Sequence, residues 1–113
     1  KLRSFRPELF FIMAFYIYVL ISKESKRFYI GQTRDLASRL DRHNRGYVKS
    51  TAGKGPWEFL FHTMVANRSE AMRIEKKLKN LKSRIRLLNW IGKNLQEEDF
   101  VNSDFQTLFE DGL

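Results

Sequence analysis

Five side chains in this sequence have types and spacings that suit one reaction, the attack of water on a phosphodiester. Tyr18 and Tyr29 fall in two consecutive runs of β-type residues, so their hydroxyls can converge on a single water. A phenol ionises near about 10, so it needs a neighbouring cation or metal to act as a base. Arg39 offers a planar guanidinium that can donate two parallel hydrogen bonds to a phosphate. His43 is one helical turn further on, shares that face, and can donate to phosphate or relay a proton. Glu75 can hold a divalent cation through one oxygen, with water and phosphate filling the other positions. A carboxylate acting alone in this way would serve a single-metal mechanism rather than a two-metal clamp. Together these groups supply a base, charge neutralisation and help for the leaving oxygen.

Each of the five also has a plainer explanation when taken singly. A strand tyrosine ordinarily packs. A histidine on the same face as Leu36 and Leu40 ordinarily belongs to the edge of a core, and Gly31 alone would mark a bulge or strand end. Glu75 has Lys79 one turn later, the usual spacing of a surface ion pair. Their occurrence together and in this order carries the chemical reading.

The elements that must position them follow from pattern. Residues 14–22 are dense in Phe, Tyr, Ile and Val and read as a strand; a polar turn over 23–26 leads to a second strand at 27–32, the two forming an antiparallel hairpin. Asp35 is placed to cap a helix that Gly46 stops. Residues 47–56 form a basic loop, and residues 57–65 a third strand. Asn67 and Glu70 open a further helix, whose stripe of Ala71, Ile74, Leu78, Leu81, Ile85 and Leu88 runs through to about Asn94, with a break near Ser83 that the pattern does not locate. The expected fold is α+β: a small, mostly antiparallel three-stranded sheet flanked by helices. Residues 1–12, ahead of Met13, read as an amino-terminal extension, 13–94 as the domain, and 95–113 as an acidic tail.

Charge narrows the class of partner. The chain carries +8 overall, unevenly spread: residues 95–113 have no Lys or Arg and six acids, while residues 1–94 hold 21 basic and 7 acidic side chains. That excess favours a polyanion through phosphate contacts and counterion release. Arg45, Lys49 and Lys54 around the basic loop, and Lys79 and Lys82 on the long helix, are the candidate grips, with Tyr47 able to stack on a base. Trp57, following Pro56, reads as core. The tail, with Phe100, Phe105, Leu108 and Phe109 among its acids, is read in two ways: folded back over the basic face, where it competes with nucleic acid, or loose. The absence of cysteine excludes disulfides, zinc–thiolate sites and cysteine nucleophiles; two histidines exclude a His-based zinc cluster. The apolar run over residues 9–21 is too short to span a bilayer, which needs about 20 residues. A cytoplasmic setting without a membrane partner is the expectation.

The ordered set of Tyr16-Ile17-Tyr18, Tyr29-Ile30-Gly31, Arg39, His43 and Glu75 resembles the GIY-YIG nuclease family, whose pattern has two tyrosine motifs, an Arg-x-x-x-His helix and a downstream metal-binding Glu. The match covers roughly residues 15–88 and looks most like small stand-alone members related to the amino-terminal nuclease module of the bacterial excinuclease C subunit. The resemblance implies that Tyr18 and Tyr29 are the motif tyrosines, Gly31 the motif glycine, Arg39 the essential arginine, His43 its partner and Glu75 the ligand of Mg²⁺ or Mn²⁺. It implies an endonuclease acting on nucleic acid, with DNA as the expected substrate. The rival is a catalytically silent nucleic-acid-binding module, which would not require the intact set. Tyr16 stands where the family name has glycine, a position that contributes no chemical group.

Overall fold

The computed structural model describes residues 14–111. The expected extension at residues 1–12 lies outside them. The elements in order are β1 (Phe15–Ser22), β2 (Phe28–Thr33), α1 (Leu36–Asn44), β3 (Trp57–Val65), α2 (Arg68–Leu81), α3 (Arg84–Asn94), β4 (Phe100–Val101) and α4 (Phe105–Asp111). Among them no helix is long and apolar enough to cross a membrane.

The sheet runs β2-β1-β3-β4, antiparallel throughout. β1 is internal, which explains its unbroken apolar run: residues Ile17–Ser22 are all buried, so both faces need core-compatible side chains. One face carries Ile17, Val19, Ile21 and Phe61 and is covered by Ala71 and Leu78 of α2 and Leu87, Leu88 and Ile91 of α3. The other face carries Tyr18, Leu20, Tyr29, Trp57 and Phe59 and is covered by Leu36 and Leu40 of α1. The candidate tyrosines therefore lie on the α1 side, and Trp57, 4% exposed, is core.

Capping chemistry sets the helix ends. Asp35 accepts from the Ser38 amide at 3.1 Å to start α1. The helix ends with Gly46 at φ +81°, its amide donating to the His43 carbonyl and that of Tyr47 to the Arg42 carbonyl, the paired bonds of a Schellman stop. Asn67 accepts from the Glu70 amide at 2.8 Å to start α2. The long amphipathic stripe is two helices: Lys82 adopts the left-handed conformation at φ 52°, and Ser83 caps α3 by accepting from Arg86. The apolar periodicity continues across the break because both helices cover the same face of the sheet.

Among the described residues the sheet has four strands rather than the expected three. Phe100–Val101 adds to β3 opposite Phe61 and His62, and Asn102 fixes the pairing by donating from its amide to Leu60 O at 2.7 Å and from its side chain to Phe59 O at 3.1 Å. Asp99 accepts from the Thr63 hydroxyl at 2.7 Å. Phe105 and Leu108 pack on the core that α2 and α3 cover. The acidic residues at the chain end thus travel on a segment anchored by backbone pairing and apolar contact.

Candidate active site

β1 and β2 place Tyr18 directly opposite Gly31 and Leu20 opposite Tyr29, so Tyr18, Gly31 and Tyr29 share one face. The two tyrosine rings lie 6.3 Å apart. A side chain at position 31 has no room: a Cβ there would lie 2.5 Å from Tyr18 Oη. This close approach of a phenol to a neighbouring backbone, not a turn, is what requires the glycine.

α1 delivers Arg39 and His43 from above. Arg39 Nε donates to Tyr18 Oη at 3.1 Å, and the Tyr18 hydroxyl lies 2.8 Å from His43 Nε2. The Tyr29 ring meets His43 edge-on at 4.8 Å. On its far side, His43 Nδ1 lies 2.7 Å from Thr51 Oγ1. Tyr18, His43 and Thr51 are all at most 1% exposed. Both imidazole nitrogens are engaged inside the protein. Asn44, next along α1, clips this helix to β3: its Oδ1 accepts from the Trp57 amide at 2.7 Å and its Nδ2 donates to the Trp57 carbonyl at 3.0 Å.

Burial dominates the electrostatics. Removal from water pushes Tyr18 up to about 12, against the opposing hydrogen bond and charge of Arg39; Tyr29 and Glu75 add smaller upward pushes. Burial also lowers His43 to about 4, helped by the charges of Arg39 and Arg42. Arg39 is held protonated above its ordinary value, chiefly by its hydrogen bond to Tyr18. The resting site is thus a neutral phenol, a neutral imidazole and a fixed guanidinium.

Glu75 approaches from α2 on the other side of the sheet. Gln32 of edge strand β2 points that way and donates from Nε2 to Glu75 Oε1 at 2.7 Å. Lys79 pairs with Oε2 at 2.8 Å, and the Glu75 side chain keeps 19% exposure. Among the described residues no group of three or more acids or histidines is placed to hold a metal. The donors present are oxygens of the kind that suit a hard cation retaining most of its water: one partly buried carboxylate, oriented by an amide and engaged at both oxygens, and the buried Gln32 Oε1, which lacks a hydrogen-bond partner. The neighbouring Lys79 ammonium competes for the same carboxylate.

The candidate grips are dispersed. Arg45 is exposed and paired with Asp41 at 2.8 Å, and Lys54 donates to the Ser50 carbonyl at 3.2 Å. Lys49 is exposed on the loop, and Lys82 is exposed at the α2–α3 break. Tyr47 is 61% exposed, with the Arg42 guanidinium 5.8 Å from its ring. A surface hollow of about 480 Å³ is bounded by residues including Thr63, Asn67 and Trp90 and holds none of the five candidate groups. A polymer laid across an open face needs no enclosed pocket. Sequence reasoning missed Thr51 and Gln32. A threonine in a basic loop and a glutamine on an edge strand carry no local signal; only the fold brings them to His43 and Glu75.

Residues 14–89 match the family described as the GIY-YIG catalytic domain. The chain belongs to this family of nucleases. Among GIY-YIG relatives, the UPF0213 protein SG0387 of Sodalis glossinidius is 36% identical over 95 residues, spanning 83% of this chain and 78% of its own. The UPF0213 protein OB0043 of Oceanobacillus iheyensis is 39% identical over 67 residues, 58% of this chain and 77% of its own. A solution NMR structure of the UPF0213 protein BH0048 from Bacillus halodurans is 31% identical, with a TM-score of 0.47, covering 73% of this chain and 86% of that one. Tyr16, which departs from the glycine of the family name, meets His62 edge-on at 6.2 Å.

Proposed function

We propose that this GIY-YIG protein is a metal-dependent endonuclease that hydrolyses phosphodiester bonds in DNA. The observation that carries the reading is the Tyr18 hydroxyl, bonded at once to Arg39 and His43. A binding surface gains nothing from burying a phenol, an imidazole and a guanidinium in mutual contact, whereas a proton relay requires it. In the proposed mechanism Tyr18 takes a proton from the attacking water as its own passes to His43 Nε2. Neither group is a strong base in the resting site. A phosphate docked on Arg39 offsets the positive charge that helps to hold His43 low, so the relay becomes more favourable when substrate is present.

Arg39 neutralises the phosphate as charge builds on it. Tyr29, beside Tyr18 and within reach of Arg39, helps orient the water. Glu75, steered by Gln32, would hold Mg²⁺ or Mn²⁺, which when bound supplies charge neutralisation at the phosphate and the leaving oxygen. Arg45, Lys49, Lys54 and Lys82 grip the backbone on either side, and Lys79 joins them once released from Glu75.

The test is incubation of supercoiled plasmid with the purified protein, with Mg²⁺ and with chelator, alongside Tyr18→Phe. Cleavage that needs the cation and is lost in the Phe variant, while plasmid binding persists, is the expected result. Retarded but uncut plasmid under every condition would make the protein a silent binding module.

A further inference from the structure

Thr51 stands on the loop between α1 and β3, 1% exposed, with its hydroxyl against the one histidine of the site. A threonine hydroxyl has a single hydrogen to give. Thr51 Oγ1 lies 3.3 Å from the Val48 carbonyl oxygen, which can only accept, and 2.7 Å from His43 Nδ1, so its hydrogen has two places to go. Sent to Val48, it leaves Oγ1 a lone pair for Nδ1–H; sent to Nδ1, it forces a second donor, Nε2–H, onto the phenol oxygen that already takes Arg39 Nε–H and denies the phenol hydrogen His43 as acceptor, so the arrangement with the proton on Nδ1 satisfies more groups. His43 is neutral in the folded protein. Its other nitrogen, Nε2, is therefore bare and faces the Tyr18 hydroxyl at 2.8 Å. Arg39 Nε can only donate to the same phenol oxygen, so the phenol hydrogen is free to point at Nε2. The donors and acceptors run without conflict from Tyr18 to His43 to Thr51 to the Val48 carbonyl.

We propose that Thr51 is the positioning residue of the site: by accepting from Nδ1–H, it fixes His43 in the tautomer whose Nε2 lone pair can take the Tyr18 proton. The proton bound on one ring nitrogen of a histidine is set by the hydrogen bond it makes. Without the Thr51 hydroxyl, Nδ1–H has lost its acceptor, while a proton on Nε2 can donate to Tyr18 Oη. The imidazole then turns from acceptor to donor toward the phenol, and the relay has nowhere to send its proton. Thr51 is well fixed for this role. Its amide donates to Val48 O at 3.1 Å, and its own carbonyl accepts from Trp57 Nε1 at 3.2 Å, so its backbone is held from two sides independently of its side chain. The inference rests on the proposed relay, but its first test does not.

The experiment uses the full chain as wild type, Thr51→Val and Thr51→Ser. Long-range ¹H–¹⁵N NMR at neutral pH, without DNA or metal, reads which ring nitrogen of His43 carries the proton. Wild type and Thr51→Ser are expected to show Nδ1–H, and Thr51→Val a shift toward Nε2–H. Plasmid cleavage with Mg²⁺ is expected to fall by about tenfold or more in kcat for the Val variant, with KM little changed and the Ser variant near wild type. A wild-type spectrum with Nε2–H overturns the proposal without reference to any variant, so a Val variant that fails to fold leaves it open to refutation. Retention of Nδ1–H in folded Thr51→Val overturns it equally. A tautomer change that leaves kcat untouched confirms the tautomer assignment and refutes the relay through His43, so the two failures are separable.

Discussion

Acidification should destabilise this protein through His43 before the site titrates. The imidazole is 1% exposed and lies among Tyr18, Tyr29, Arg39, Arg42 and Thr51. Burial, then Arg39 and Arg42, bring it from an ordinary 6.5 down to about 4. The folded state therefore keeps the neutral ring where the unfolded chain would protonate. Stability from the neutral ring is fully present above about 6.5 and is lost as pH falls through that value, levelling off near 4, where the folded form binds the proton too. The loss from pH 7 to pH 5 amounts to about 2 kcal/mol, and by pH 4 to about 3 kcal/mol. Urea unfolding of wild type and His43→Gln at pH 7 and pH 5 isolates it. The variant is weaker at both pH values because two buried hydrogen bonds change, but its difference between the two should be smaller than the wild-type difference by about 2 kcal/mol. Carboxylates and His62, also lowered by burial, are common to both proteins and cancel. A His43 ring resonance with its midpoint near 6.5, or equal pH dependence in the two proteins, would refute the argument.

Four other outcomes follow from the geometry. Glu75→Ala should abolish cleavage in Mg²⁺ while plasmid retardation and circular dichroism stay near wild type; cleavage at the wild-type rate would remove Glu75 from the chemistry. Arg39→Ala should lower turnover by about a hundredfold or more, and Arg39→Lys should recover only part of that, since an ammonium has neither the bidentate fork nor the Nε–H that reaches Tyr18; full recovery in single-turnover assays would reduce the role to simple charge. Gly31→Ala drives a methyl to 2.5 Å from Tyr18 Oη and should cost roughly 1–3 kcal/mol in urea unfolding, with cleavage falling as the phenol shifts. Truncation after Asn94 removes β4 and α4 and bares the core under Phe105 and Leu108, so thermal melting should show a loss of roughly 2–4 kcal/mol; an unchanged melt with tighter DNA binding at low salt would instead support an autoinhibitory tail.

Local pattern carried most of the fold. The unbroken apolar run of β1, the caps at Asp35 and Asn67 and the stop at Gly46 are each decided within a few residues, and each is where the pattern puts it. The helix break, expected near Ser83 without a fixed place, and the fourth strand, not expected, depend on contacts distant in sequence. Lys82 is a poor residue for the left-handed conformation and gives no sign of a helix end; the break exists because α2 and α3 both turn their apolar sides to one sheet face. β4 is two residues long among acids, below any periodicity, and is defined by Asn102 reaching Leu60 and Phe59. In the site, the array of Tyr18, Arg39 and His43 was legible because side-chain types and helical spacing constrain it. Its outer partners were not. Thr51 reaches His43 through a loop whose path is set by Gly46 and by the clip from Asn44 to Trp57, and Gln32 reaches Glu75 across 43 positions of sequence.

Enclosure of Tyr18 sets a condition on any reaction at its hydroxyl. The residue has no exposed surface. Gly31 backs the hydroxyl closely, His43 takes one side of it and Arg39 Nε closes another. These neighbours are not equally movable. Gly31 is backbone within the β1–β2 ladder, and His43 is held at its far nitrogen by Thr51. Arg39 is a long side chain, only partly buried, on the outer helix of that layer. On the proposed reading, water reaches the phenol when the guanidinium gives way. The lost hydrogen bond costs about 1 kcal/mol net, and a bidentate guanidinium–phosphate pair returns more than that. The phosphate that the reaction needs is therefore the group best able to draw Arg39 aside. One arginine then keeps the phenol dry in the free protein, admits water when substrate docks, and stands where charge builds on the phosphate. A lysine at that position could meet the last requirement alone, which is why the Lys variant separates charge from placement.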